Sequence, residues 1–409
     1  MISEYFHPLS KGGGELSAYM LAKQLAASDI EMHVLTSRLQ SLKSDETIEG
    51  IRIHRYLRTG DDPASLTGNI KRVLSFEKSI LAKEDFISGF DLIHCMNTTS
   101  ISAVKLKRKI KSPFVLHVNG PTLFCPKATL MYKDREICNK ECTTNEFLGC
   151  WLGSSSLGKI EMGPLTKINP FIMMYSRRRY LAYKRFLGAF DFYMPISSFM
   201  QDRLEFAGID KKKTEIIYNV IRLEDYLNLG QPKNKTKKIL YLGEYSRPKG
   251  VLVLLEALKQ LDGYEASFYG SGVLKEKLIK TTMENRMNIK VHDSVAQSEI
   301  PKIMQQHDIV VFPSLVGEAF GRVALEACAA GKTVIASDIG GTTDIIIQGR
   351  TGFLFPAGDS SALSRILKDV ISGEKSIDTQ EARKLIKERF SKKEILLKVI
   401  RSYRKLKRW

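Results

Sequence analysis

Short, fully apolar runs that recur with a helical stretch between them restrict this chain more than any other feature. Met1–Phe6 reads as a strand, and a glycine-rich turn follows. Leu16–Ala27 then carries Leu16, Met20, Leu21 and Leu25 at helical spacing, and Met32–Thr36 is a second strand. Strand, glycine turn, helix and strand in succession call for a parallel sheet, because parallel neighbours need a crossover connection. Asp91–Met96, Phe114–Val118 and Phe192–Ile196 are further runs of the kind that parallel sheets bury on both faces. The stretch NVIRLEDYLNLGQPKNKTKK is polar and basic and reads as a linker.

Beyond it the pattern restarts. Strands are predicted at Lys238–Leu242, Ala266–Tyr269, Ile289–His292, Ile309–Phe312 and Thr333–Ala336, with helices at Val251–Lys259, Leu274–Met283, Phe320–Ala330 and Ala362–Ile371. The fold class is therefore α/β, with two Rossmann-like domains facing each other across a cleft. In open sheets of this kind ligands sit at the carboxyl ends of the strands, which makes that cleft the expected site. The expected division is a first domain at 1–220, a linker at 221–237, a second domain at 238–390 and a basic helix at 391–409 that packs back on the first domain. Ser391 and Glu394 form a capping box for that helix, and Ile395, Leu396, Val399, Tyr403 and Leu406 its apolar face. The abrupt first strand implies a native start a few residues upstream of Met1, which mass spectrometry of the native N-terminus would test.

Composition narrows the partners. The 409 residues hold 63 Lys and Arg against 45 Asp and Glu, a net charge of +18 that favours acidic partners without choosing among them. No run is long and apolar enough to span a bilayer, and MISEYFHPLSKGGGE lacks a signal-peptide layout, so the expected location is cytoplasmic.

The chemistry concentrates in PSLVGEAFGRVALEACAAGKTVIASDIGG, where Glu318 and Glu326 stand with seven residues between them. A strand ends at Phe312, and Gly321 opens a helix whose first N–H groups suit an anion such as a diphosphate. Glu318 lies before that helix, within reach of a ligand's hydroxyls. Glu326, about two turns on, reaches the other end of a long ligand, and a sugar nucleotide has that shape. In YLGEYSRPKG, Lys249 follows a strand and offers a point charge for the diphosphate.

These residues, with Gly340–Gly341 and TGFLFPAGD, resemble the family-4 retaining glycosyltransferases of GT-B fold over nearly the whole chain. The resemblance places Glu318 at the donor sugar and Glu326 on the nucleotide ribose, with Phe320 and Gly321 beside the donor. It places Lys249 on the diphosphate, Gly12 and Gly13 in the loop that approaches the donor phosphates, and Gly270 and Gly272 in a turn near the nucleotide. His117, ending FVLHVNG, holds the reacting sugar; His94 in DLIHCMN reads as a packing residue. One departure stands out. The family usually carries Gly-Arg-Leu after the strand, and here Glu244 replaces that arginine, so either Arg247 supplies the charge or the site holds one cation fewer.

The function implied is retaining transfer from a nucleotide-diphosphate sugar to a glycan or lipid-linked acceptor in surface polysaccharide or glycolipid synthesis, with no metal or cofactor required and no nucleic-acid partner. The leaving diphosphate would help deprotonate the acceptor hydroxyl on the same face, with Lys249 and helix N–H groups stabilising its charge. Double displacement with Glu318 as nucleophile is the other route. The competing functions are a soluble synthase or phosphorylase acting on free sugar or storage glucan, a basic nucleic-acid-binding protein, and a non-catalytic partner subunit.

Two features stand outside that scheme. Cys125, Cys138, Cys142 and Cys150 have x12, x3 and x7 spacings, with no C-x-x-C pair; they either hold a structural zinc or pack an inserted loop as reduced thiols. Lys167, Arg177, Arg178, Arg179, Lys184 and Arg185 alternate with Phe171, Met173, Tyr180, Tyr183 and Phe186, and Lys105–Lys111 is a second basic run. Such stretches suit either docking on an anionic membrane surface or simple solvation.

Overall fold

Strands buried on both faces dominate each half of the chain, as a parallel sheet with helices on either side demands. The computed structural model describes residues 1–9, 13–39, 41–59, 66–154, 156–157, 160–230 and 237–407. It divides into two units, Met1–Ile221 with Lys392–Trp409 and Arg222–Ser391.

The strands of the N-terminal unit are β1 (His33–Ser37), β2 (Asp45–Ile48), β3 (Ile51–Leu57), β4 (Ile93–Cys95), β5 (Phe114–Val118) and β6 (Phe192–Pro195). They form two triplets, β1-β3-β2 and β6-β5-β4. The segment expected as a first strand makes only isolated bridges, but it joins these triplets. Ile2 pairs in parallel with both Leu35 and Cys95, donating to the His94 carbonyl at 2.8 Å while Met96 donates to its own at 3.0 Å. In β3 the burial alternates, with Ile51, Ile53, Arg55 and Leu57 inward. The β2–β3 hairpin closes through Glu49 and Gly50, at φ 50° and 80°, the doubly positive pair that a two-residue hairpin turn needs.

The helix Gly13–Ala26 buries Leu21 and Leu25, and the C-terminal helix Lys392–Lys407 packs on it. That last helix buries Ile395 and Val399 and brings the Tyr403 hydroxyl 2.6 Å from His94 Nδ1.

Residues 121–152 form an excursion after β5 that shares a small core with the residues following it. A ladder of Met131–Tyr132 with Glu136–Ile137 leads to the helix Thr144–Leu152, capped by Thr143. Trp151 is fully buried with Phe147, Met162 and Ile172, and its indole N–H donates to Lys167 O at 3.0 Å.

In the second unit β7 (Lys238–Leu242), β8 (Glu265–Tyr269), β9 (Ile289–His292), β10 (Ile309–Phe312), β11 (Thr333–Ser337) and β12 (Gly352–Phe355) are all parallel, in the order β9-β8-β7-β10-β11-β12. This is the doubly wound arrangement, and the strand order reverses between β7 and β10. A buried layer including Leu254, Leu255, Leu258, Leu363 and Leu367 covers one face. Within the segment expected as a linker, Glu224–Leu227 is a short helix with Tyr226 buried, packed on the helix Arg322–Ala329; residues 231–236 lie outside the described residues.

Candidate functional site

A ligand site in a doubly wound sheet belongs where the strand order reverses, beyond the carboxyl ends of the central strands. In the C-terminal unit these are β7 and β10, and the loops leaving them carry Lys249 and Glu318.

The loops are held by close approaches of backbone to backbone. Gly250, at φ 69°, lies against the Pro313 carbonyl where any Cβ would overlap it, and Leu315 N donates to Pro248 O at 2.9 Å. Gly270 lies in the same way against the Gly243 carbonyl, and a Cβ on Gly272 would stand 2.5 Å from Tyr245 O. Gly340, at φ 67°, faces the backbone of Glu318, with its would-be Cβ 2.6 Å from both N and O, while Gly341 N donates to Glu318 O at 2.7 Å. Only glycine fits such contacts, and at positive φ it also avoids strain.

The side chains follow from that frame. Lys249 Nζ pairs with Glu318 Oε1, which also accepts from Ser314 Oγ at 2.9 Å. Glu318 Oε2 has no hydrogen-bond partner among the described residues, so one oxygen remains for a ligand hydroxyl. Phe320 is buried and packs edge-on to Phe390 at 6.0 Å. Gly321, at φ 89°, caps the helix Arg322–Ala329, which starts two residues later than expected because the left-handed cap interrupts the helical turn. Glu326 points inward on that helix and receives Arg322 Nε at 2.6 Å and Gln297 Nε2 at 3.4 Å. Burial pushes its carboxyl pKa up, and Arg322, one turn away, opposes that shift.

Arg247 is exposed and has no side-chain partner among the described residues. The Glu244 carbonyl accepts from Tyr241 OH at 2.8 Å, while its carboxylate has no hydrogen bond among the described residues.

In the N-terminal unit, His117, one residue before the end of β5, is buried with neither ring nitrogen partnered in the described structure. Burial lowers its pKa to about 4, so the ring is neutral at pH 7. His94 stacks on it at 5.4 Å and takes the Tyr403 hydroxyl on its other side. Gly13 is the first residue of its helix, and Gly12 lies outside the described residues. Near these elements Glu4, Glu15, Asn97, Thr99 and Asn119 line a polar cavity of about 240 Å³.

Of the two readings of the four cysteines, the described structure supports packed thiols and not zinc. Among the described residues no group of three or more His, Cys, Asp or Glu could hold a metal ion. The four cysteines are free thiols, and burial raises the pKa of Cys138 and pushes that of Cys142 up to about 12. Cys150 Sγ instead lies 3.7 Å from Met131 O. The second basic run is largely paired, Lys105 with Glu77, Lys107 with Asp191 at 2.5 Å and Lys109 with Glu84 at 2.7 Å.

Reasoning from the sequence did not find Ser314, Gln297 or Tyr226 beside the carboxylates. Arg322 carried a signal, its spacing of four from Glu326 on one helix. Tyr226 and Gln297 carried none, being 100 and 29 residues from Glu326.

The fold and the glycine-held loops at the sheet reversal define a two-unit α/β protein whose second unit is a doubly wound parallel sheet. Residues 227–392 match the model of glycosyl transferases group 1, and residues 11–225 that of glycosyltransferase family 4. The chain belongs to glycosyltransferase family 4 and has the GT-B fold.

A lipopolysaccharide 1,2-N-acetylglucosaminetransferase of Salmonella typhimurium is 26% identical over 214 residues, 48% of this chain and 56% of its own. A phosphatidyl-myo-inositol mannosyltransferase of Mycobacterium leprae is 32% identical over 170 residues, 40% of this chain and 45% of its own. The chain thus spans about half the length of the curated relatives it matches. Anabaena Alr3699/HepE, solved in complex with UDP and glucose, superposes over 98% of this chain and 97% of its own, at a TM-score of 0.65 and 17% identity.

Proposed function

We propose that this protein is a retaining glycosyltransferase that moves a sugar from a nucleotide-diphosphate donor to a glycan or lipid-linked acceptor in polysaccharide or glycolipid synthesis. The observation that carries the reading is the pairing of Lys249 with Glu318 at the sheet reversal, on loops that only glycine contacts permit. Lys249 would take the diphosphate and Glu318, through its unengaged oxygen, a donor hydroxyl. Exposed Arg247 would supply the charge that Glu244 does not, and Glu326 would bind the ribose in exchange for its present partners. Gly13, Gly270, Gly272, Phe320 and Gly321 would shape the approach to the donor.

His117 is assigned a hydrogen bond to the sugar, which its neutral ring and unpartnered nitrogens support. The relatives' printed names, a lipopolysaccharide transferase and a phosphatidylinositol mannosyltransferase, support a glycan or glycolipid acceptor, and the Anabaena complex a UDP-linked donor.

We assign the protein to the cytoplasmic face of a membrane, as a peripheral partner of anionic lipid. Among the described residues no helix is long and apolar enough to cross a membrane. The helix Pro170–Leu187 carries an outward stripe of Phe171, Met174, Arg178 and Leu181, beside Leu165 and Ile168, which are 82% and 67% exposed. Apolar side chains flanked by arginine suit an interfacial helix.

The test is a thermal-shift screen of the full chain against UDP, GDP, ADP, TDP and their sugar conjugates. A ligand at 100 times its dissociation constant stabilises by about 2.7 kcal/mol. A selective shift that Lys249→Ala abolishes is expected; no shift with any nucleotide overturns the reading.

A further inference from the structure

Residues 121–152 close over the helices Pro170–Leu187 and Ser198–Phe206 and leave a cavity of about 560 Å³, the size of a small-molecule site. Leu123, Leu130, Met131, Phe147 and Leu187 make its apolar wall, and the four thiols of Cys125, Cys138, Cys142 and Cys150 line it as well.

The charges around it are unequal. Lys127 is buried and satisfied by Asp134 at 3.0 Å and by Ser154; Lys184 meets Glu141 at 3.0 Å and Lys140 meets Glu146 at 3.9 Å. Arg203 has no such carboxylate among the described residues. Its Nη1 donates to Cys138 O at 3.0 Å and Asn139 Oδ1 at 2.9 Å, and its Nε is buried with no hydrogen-bond partner. The guanidinium lies 5.3 Å from the Phe199 ring and 5.7 Å from that of Phe206, a half-exposed aromatic that also lines the cavity. A cation that makes no ion pair among the described residues and is offset only at longer range by the neighbouring Asp202, on the wall of an apolar cavity, is complementary to a ligand with an anionic end and an apolar body.

We propose that this cavity binds a single-chain anionic lipid, its chain against the thiols and rings and its phosphate or carboxylate on Arg203. The site stands in the N-terminal unit alone and does not depend on the donor reading.

The experiment uses the full chain and four probes below their micellar concentrations: dodecyl phosphate, dodecanoate, dodecanol and dodecyltrimethylammonium. Modification of Cys138, Cys142 and Cys150 by N-ethylmaleimide is followed by mass spectrometry, and affinities by calorimetry. Dodecyl phosphate or dodecanoate should slow the thiols at least about fivefold and bind at least about tenfold more tightly than dodecanol, with the cationic probe giving no protection. Arg203→Met should weaken the anionic probe about tenfold and leave dodecanol within about threefold. Equal protection by all four probes, none by either anion, or an unchanged anion affinity in Arg203→Met overturns the proposal. If that variant fails to fold, the wild-type comparison of anionic with cationic probe decides alone.

Discussion

Replacing Gly340 by alanine tests whether the Glu318 loop is held by backbone contact. Two costs add. At φ 67° any side chain is strained by about 1–2 kcal/mol. The new Cβ would also stand 2.6 Å from Glu318 N and O, against backbone that must shift by the better part of an ångström. Overpacking of that kind costs about 1–3 kcal/mol, and losing the 2.7 Å bond from Gly341 N to Glu318 O about 1 more.

Gly349→Ala is the matched control, since Gly349 has φ 74° and nothing within 4 Å of its would-be Cβ. It should lose only the strain, so the steric part is the difference, about 2–4 kcal/mol. At about 2–4 °C per kcal/mol for a unit of this size, Gly340→Ala should melt at least about 4 °C below the control. Transfer from a nucleotide-sugar donor should fall further, toward a hundredfold, because displacing a group at the reacting centre by about 1 Å costs that much. Equal melting temperatures with normal turnover in both variants would refute the reasoning.

Lys249→Ala and Glu318→Ala should each lower transfer at least about tenfold, from lost contacts of about 1.4 kcal/mol or more, measured as kcat/KM. Arg247→Ala should weaken nucleoside diphosphate binding about tenfold and Glu244→Arg should restore it in that background; isothermal titration reads both. Burial holds His117 at about 4 in the fold against 6.5 ordinarily, so between these values the unfolded chain takes up a proton that the folded ring refuses. Stability should therefore fall as pH drops from 6.5 to 4, by up to about 3 kcal/mol, and His117→Gln should remove that share of the slope while His94, shifted the same way, keeps its own. Co-sedimentation with phosphatidylserine vesicles should exceed that with phosphatidylcholine alone, and Phe171→Ser with Met174→Ser should reduce it at least about fivefold.

What the sequence displayed was whatever a local pattern encodes. Phe114–Val118, Lys238–Leu242 and Ile309–Phe312 are strands at the residues expected, because runs buried on both faces are bounded by polar or turn residues, and the edge strand Ile289–His292, where only Ile289 is buried, also lies where expected. The hairpin Asp45–Leu57 was not legible. Its turn is Glu49–Gly50, whose glutamate at φ 50° carries none of the usual asparagine or aspartate signal. Positions of Lys249, Glu318 and Glu326 could be singled out by spacing and by resemblance, but not what they touch. Gly340 meets Glu318 from 22 residues away, and Tyr226 reaches Glu326 from 100 residues away, contacts that only the folded sheet creates.

The same division explains how Glu244 can stand where the family carries arginine. The cradle is built from backbone atoms: Gly250 on Pro313, Gly270 on Gly243, Gly340 on Glu318. Contacts of this kind exclude a Cβ at the glycine but are indifferent to the side chains the facing loop presents. Glu244 accordingly keeps the loop's path, its carbonyl held by Tyr241 OH at 2.8 Å, while its carboxylate projects without a hydrogen bond among the described residues. The replacement alters charge and leaves the frame intact. Lys249 already shares its charge with Glu318, so on the proposed reading a diphosphate arriving at β7 would depend on exposed Arg247 and on the helix at Gly321 for the rest. On that reading Glu244 would weaken the hold on the anion without moving it, which the Arg247→Ala and Glu244→Arg titrations separate from any change of geometry.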